Sequence, residues 1–62
     1  MTTKCYFLIN SDAAVRAIDC LTNLIPCFIR ELLLTQDGSL TVMIEARDED
    51  LATVETILAP YV

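Results

Sequence analysis

The sequence predicts an α+β fold of βαββα order: a three-stranded antiparallel sheet with two helices on one face. Three observations predict it. The apolar run CYFLI stops at the breaker NSD, and a stretch with apolar residues at helical spacing stops at Ile25-Pro26. Two further apolar runs flank an Asp-Gly step, a strong short-range hairpin signal, before a second helical pattern ends at Pro60. Two strand-to-helix units in this order make a sandwich of one sheet and one helical layer.

The first strand is read in TKCYFLI, residues 3 to 9, from its aromatic and β-branched content. Alternation puts Cys5, Phe7 and Ile9 on one face and Lys4, Tyr6 and Leu8 on the other. The first helix runs from about Asp12 to Ile25. Ser11 is expected to cap it by accepting from a free backbone N–H, and Asp12 complements the positive end of the helix dipole. At 100° per residue, Ala14, Ala17, Ile18, Leu21, Leu24 and Ile25 share one apolar arc opposite Arg16, Asp19 and Asn23. Pro26 lacks an N–H and disfavours helical geometry at Ile25, so the helix must stop there.

CFIRELLLT, residues 27 to 35, and LTVMIEA, residues 40 to 46, form the hairpin around QDGS. A two-residue Asp37-Gly38 turn sets Arg30 across from Glu45, Leu32 from Met43 and Leu33 from Val42. A slip by one residue would oppose Glu31 and Glu45, which like charges disfavour. In the favoured register Glu31 falls on the face of Leu33, Val42 and Ile44, and a bulge near Arg30 would re-aim it. The closing segment RDEDLATVETILAP places Asp48 as N-cap, Glu49 and Asp50 in the first turn, and Leu51, Val54 and Leu58 in a buried stripe.

Residues 1 to 62 are expected to make a single domain. A chain of this size hides only about 60% of its unfolded surface, yet 55% of its residues are hydrophobic. With helices on one face, the other is expected to carry Tyr6, Leu8, Leu32, Leu34 and Met43, relieved by Lys4, Arg30, Thr41 and Glu45. After Pro60 only Tyr61 and Val62 remain, so an open edge is expected along the first strand. A homodimer or larger oligomer is the expectation, with Tyr6, Leu8, Arg30, Leu32, Leu34 and Met43 as candidate interface residues, or a partner protein on the same surface.

Nine acidic against four basic residues give a net charge of -5, the wrong sign for phosphates or an anionic bilayer. Neither nucleic acid nor membrane is expected as a partner. CYFLI is too short for a signal-peptide core, and LIPCFIRELLL is broken by Arg30 and Glu31, so a cytoplasmic protein with reduced thiols is expected. Cys5, Cys20 and Cys27 are read as structural, because they lack zinc-site spacing and the chain has no histidine. Asp48, Glu49 and Asp50 have an electrostatic reason to begin a helix and lack the alternating ligands of a calcium loop. Without histidine, a glycine-rich phosphate loop or an activated nucleophile, no enzyme activity and no cofactor are expected.

KCYFLINSD as strand and loop, VRAIDCLTNLIPCFIRELLL as helix and strand, and DGSLTVMIEARDEDLATVETIL as hairpin and helix together resemble ACT-like and other ferredoxin-like regulatory modules. That resemblance implies dimeric association and an amino-acid-like small effector, a small metabolite, held at Asn10, Ser11 and Asp12, where a helix N-terminus offers free N–H groups. The proline-glycine step of an ACT loop does not occur in SDAAV. The Cys-x-x-Cys of ferredoxin-like metallochaperones is likewise missing from NSDAAV. The two functional expectations are therefore a regulatory effector sensor and an adaptor that captures a peptide or partner protein by its sheet face or strand edge.

Overall fold

The computed structural model describes residues 1–62. In order, it contains β1 (Thr2–Leu8), α1 (Ser11–Leu24), β2 (Cys27–Leu34), β3 (Leu40–Ala46), a 3₁₀ turn (Asp48–Asp50), α2 (Leu51–Leu58) and a second 3₁₀ turn (Ala59–Tyr61). The fold is α+β, with an antiparallel sheet in the order β1-β3-β2. β3 is central, and its alternation is complete: Leu40, Val42, Ile44 and Ala46 are buried, while Thr41, Met43 and Glu45 between them are half-buried. Onto that buried face pack Ala14, Ile18 and Leu21 of α1 and Val54 and Leu58 of α2, with Leu8 of β1, as one core.

Each end of α1 has a local cause. Ile25 leaves the helix in extended geometry (φ −134°, ψ 156°), as the following proline requires. At the other end Asn10, not Ser11, is the cap residue. It sits in the left-handed region (φ 58°), which asparagine tolerates better than most residues, and makes no side-chain cap bond. Leu24, expected in the apolar arc, is exposed because the helix ends there, beyond the sheet it covers. α2 also begins later than expected. Asp48 lies in the 3₁₀ turn and accepts a hydrogen bond from the Thr2 hydroxyl instead of capping α2. Arg47 clasps that turn through Asp50 at 2.9 Å and Glu49 at 3.3 Å.

The hairpin corrects the expected register by one residue. Thr35 N–H donates to the Ser39 carbonyl and Gly38 N–H to the Thr35 carbonyl, so the loop is the three-residue Gln36-Asp37-Gly38 with Gly38 at φ 83°. Consequently Leu32 pairs with Val42, Leu33 with Thr41 and Leu34 with Leu40. The expected bulge is present between Ile29 and Glu31, after which Glu31 stands across from Met43. It turns Glu31 away from the core.

This register and that of β1 reassign four of the expected interface residues. Tyr6 pairs with Val42 and Leu8 with Leu40, so both lie on the helix-covered face, and Leu8 is 1% exposed. Leu32 and Leu34 face the same side but lie beyond the helices' cover, at 42% and 58% exposed. Only Met43 and Arg30 keep their expected place on the uncovered face. The expectation failed for β1 because both of its faces mix apolar and polar side chains. Lys4 can stand on the helix side by reaching past the edge to Glu55, 3.5 Å away.

Candidate functional site

The sheet face opposite the helices is built by the other set of alternating residues. β1 contributes Thr3, Cys5 and Phe7; β3 contributes Thr41, Met43 and Glu45; β2 contributes Phe28, Glu31 and Leu33, with Arg30 at the bulge. Phe7 is 71%, Phe28 54% and Leu33 57% exposed. Arg30 crosses to Glu45, donating from Nε at 3.1 Å and from a terminal nitrogen at 2.5 Å, and its guanidinium lies 5.6 Å from the Phe28 ring centroid. The expected Arg30–Glu45 encounter therefore occurs, although Phe28 is the backbone partner of Glu45. Phe7, Phe28 and Leu33 were missed by the sequence reading. The signal for Leu33 was the loop length, since Asp-Gly fits a three-residue loop as well as a two-residue turn.

The second feature is the outer edge of β1, which no strand among residues 1–62 pairs. Beside it, on the helix side, opens a cleft of about 480 Å³ lined by Tyr6, Glu55, Leu58, Ala59 and Val62. The Tyr6 hydroxyl is buried there without a hydrogen-bond partner. Burial, and after it the charge of Glu55, raises the Tyr6 phenol above its ordinary pKa, so this group is a neutral donor and acceptor at physiological pH. At the far end of the strand Ile9 donates its N–H to the Tyr61 carbonyl at 2.6 Å. That bond leaves from the side of the chain turned away from β3. Backbone groups alternate sides along a strand, so the N–H and C=O groups of Thr3, Cys5 and Phe7 also point outward along the open edge.

Asn10, Ser11 and Asp12 sit together at the start of α1, but none lines the cleft. The Ser11 N–H, one of the donors offered to an effector, is already donated to the Gly38 carbonyl at 2.9 Å, and the Asn10 carbonyl accepts from Ala14 N–H at 3.0 Å. The hairpin tip thus docks on the helix N-terminus. The three cysteines are free: Cys5 and Cys20 are exposed and Cys27 is half-buried. Burial first and the Asp50 carboxylate second push the Cys27 thiol up, which suppresses its thiolate and its reactivity. The exposure of Cys5 and Cys20 departs from the expected structural role, because Cys5 belongs to the uncovered face and Cys20 to the outer side of α1.

No helix is long and apolar enough to cross a membrane. Comparison with protein-family models, with curated proteins and with solved structures found no match for this chain, so the functional reading stands on the geometry above.

Proposed function

We propose that the chain is a small non-catalytic oligomeric module whose work is protein–protein association, an assembly or adaptor function carried by the uncovered sheet face. The observation that supports this reading is the set Phe7, Phe28 and Leu33, all more than half exposed on one sheet face around Met43. An apolar surface of this kind on so small a chain loses free energy to water until another protein covers it. A second copy is the occupant favoured by charge. Arg30 and Glu31 stand side by side at the bulge, and a two-fold axis passing between them sets each against the opposite sign of the second copy. The ACT-like regulatory version, with an amino-acid-like effector at Asn10, Ser11 and Asp12, has less support, because the Ser11 N–H is already engaged.

Sedimentation of the wild-type chain and of a Phe28→Lys/Leu33→Lys variant at micromolar concentration tests the proposal. Lys at position 28 stands across from Glu45 and at position 33 across from Thr41; the new ammonium at 28 also lies near Arg30, so wild-type circular dichroism of the variant is the control that the monomer fold persists. The wild type should sediment above the 6.9 kDa monomer and the variant should lose mass. A monomeric wild type, or a variant of unchanged assembly, overturns the reading.

A further inference from the structure

We propose that the outer edge of β1 pairs antiparallel with β1 of a second copy, joining two three-stranded sheets into one six-stranded sheet about a two-fold axis at Cys5. This goes beyond the face-to-face contact proposed above, because it uses a different surface. Three features of the edge meet in it: the outward backbone groups of Thr3, Cys5 and Phe7, the cleft beside them, and the buried Tyr6 hydroxyl without a partner.

The register follows from the residues. Two-fold antiparallel pairing centred on Lys4 would oppose Lys4 to its own copy, which like charge disfavours. Centring on Tyr6 would pair Thr3 with Ile9, whose outward N–H is already donated to Tyr61. Centring on Cys5 avoids both. Thr3 then faces Phe7 of the second copy, Cys5 faces Cys5, and the Ile9–Tyr61 bond stays intact. The outward groups form about six new backbone hydrogen bonds, two for each such pair.

In the same register Lys4 of one copy stands opposite Tyr6 of the other. This is a pair without mutual backbone bonds, the kind whose side chains approach most closely. Its ammonium therefore enters the cleft of the other copy, where Tyr6 offers an unpaired hydroxyl and Glu55 a carboxylate. Within one copy Lys4 already reaches its own Glu55 at 3.5 Å from a half-exposed position; pairing moves that ammonium to the second copy's Glu55 and adds a donor for the phenol. The two-fold axis makes the exchange twice. A basic side chain entering an acidic, otherwise apolar cleft is the complementarity that selects a second copy of this chain as the occupant.

The test begins with a Cys20→Ser/Cys27→Ala variant, which leaves Cys5 as the sole thiol. Facing cysteines in a hydrogen-bonded antiparallel pair have Cα atoms roughly 5.5 Å apart, inside the range a disulfide spans. Diamide, which takes up the two protons and two electrons released, should link this variant into a dimer at micromolar concentration. It should do so on the order of tenfold faster than a variant whose sole thiol is Cys20 on the outer side of α1. Cys5→Pro removes an N–H that points outward and bonds nothing within one copy, a substitution that edge strands accept; it should keep the circular dichroism of the wild type and halve the assembly mass. Lys4→Glu, which in the monomer exchanges an exposed ion pair with Glu55 for an exposed like-charge pair, should keep the wild-type circular dichroism and weaken association by at least about tenfold. Equal rates for Cys5 and Cys20, or a folded Cys5→Pro of unchanged mass, overturn the proposal. The Phe28→Lys/Leu33→Lys variant separates the two surfaces. Its substitutions lie on β2, so Cys5 should still link; loss of the link there would assign the contact to the sheet face and overturn the edge pairing.

Discussion

β2 and β1 both flank β3, and they treat their outer edges differently. β2 is interrupted by a bulge between Ile29 and Glu31, carries two adjacent charges there, and ties Arg30 back across the sheet to Glu45. β1 runs in unbroken register from Thr2 against Ala46 to Leu8 against Leu40, with Lys4 as its only charge. A bulge and a charge tied back across the sheet make a poor template for another strand, whereas a regular seven-residue edge makes a good one. One sheet thus holds a protected edge and an available one. Connectivity adds to the contrast: a three-residue loop secures β2 to β3, while β1 reaches β3 only through the rest of the fold.

The strand shared by both edges gives the largest expected effect. Ile44 is fully buried and stands between Lys4 of β1 and Ile29 of β2. Ile44→Ala should cost about 2 to 5 kcal/mol, a large share of what so small a domain holds, and should lower the urea midpoint of both edges together. If β1 amides exchange sooner than β2 amides in this variant, the hairpin is an independent unit of the fold.

A smaller change separates the two edges. Gly38 adopts φ 83°, and a Cβ there would meet nothing within 4 Å, so Gly38→Ala opposes the backbone conformation alone. A cost of about 1 to 2 kcal/mol is expected. Amide exchange should rise first in β2, and at Ser11, whose N–H is held by the Gly38 carbonyl. An unchanged midpoint would remove the three-residue loop as the anchor of β2. Arg30→Ala removes the charge that β2 ties back across the sheet. The pair with Glu45 is half-exposed, so its loss should cost no more than about 1 kcal/mol, less in high salt. Because Arg30 also meets Glu31 of the second copy in the proposed contact, sedimentation should show weaker self-association.

The same contrast explains what the sequence disclosed. Elements with a chemical stop signal were legible: NSD before α1, Pro26 after it, Pro60 after α2, and the bulge at Arg30 inferred from a carboxylate that had no place in the core. Register was not, because Asp37-Gly38 serves two loop lengths and one residue of difference exchanges the faces of Leu32, Leu33 and Leu34. The face of β1 was hidden for a related reason. Neither Cys5-Phe7-Ile9 nor Lys4-Tyr6-Leu8 is purely apolar, and the deciding contact, Lys4 to Glu55, joins residues that only the folded chain brings together. The cleft around Tyr6 was invisible in the sequence on the same ground, since Tyr6 and Glu55 lie on separate elements at opposite ends of the chain.

The smallest expected effect is a pH dependence confined to the β2–β3 turn. The Asp37 carboxylate accepts from the Thr35 and Ser39 hydroxyls and from the Ser39 backbone N–H at 3.0 Å. These bonds hold its pKa down to about 2, from an ordinary value of 3.8. A carboxyl whose pKa is lower folded than unfolded stabilises the fold in full above the unfolded value, and that contribution fades as pH falls toward the folded one. Wild type should therefore lead Asp37→Asn in urea midpoint by a constant margin above about pH 5, and the margin should shrink between about pH 4 and about pH 2. The effect belongs to β2 and not to β1, because the turn touches only the hairpin and the start of α1. A margin that stays constant down to pH 2 would show that the Asp37 hydrogen bonds do not distinguish the folded turn from the unfolded chain.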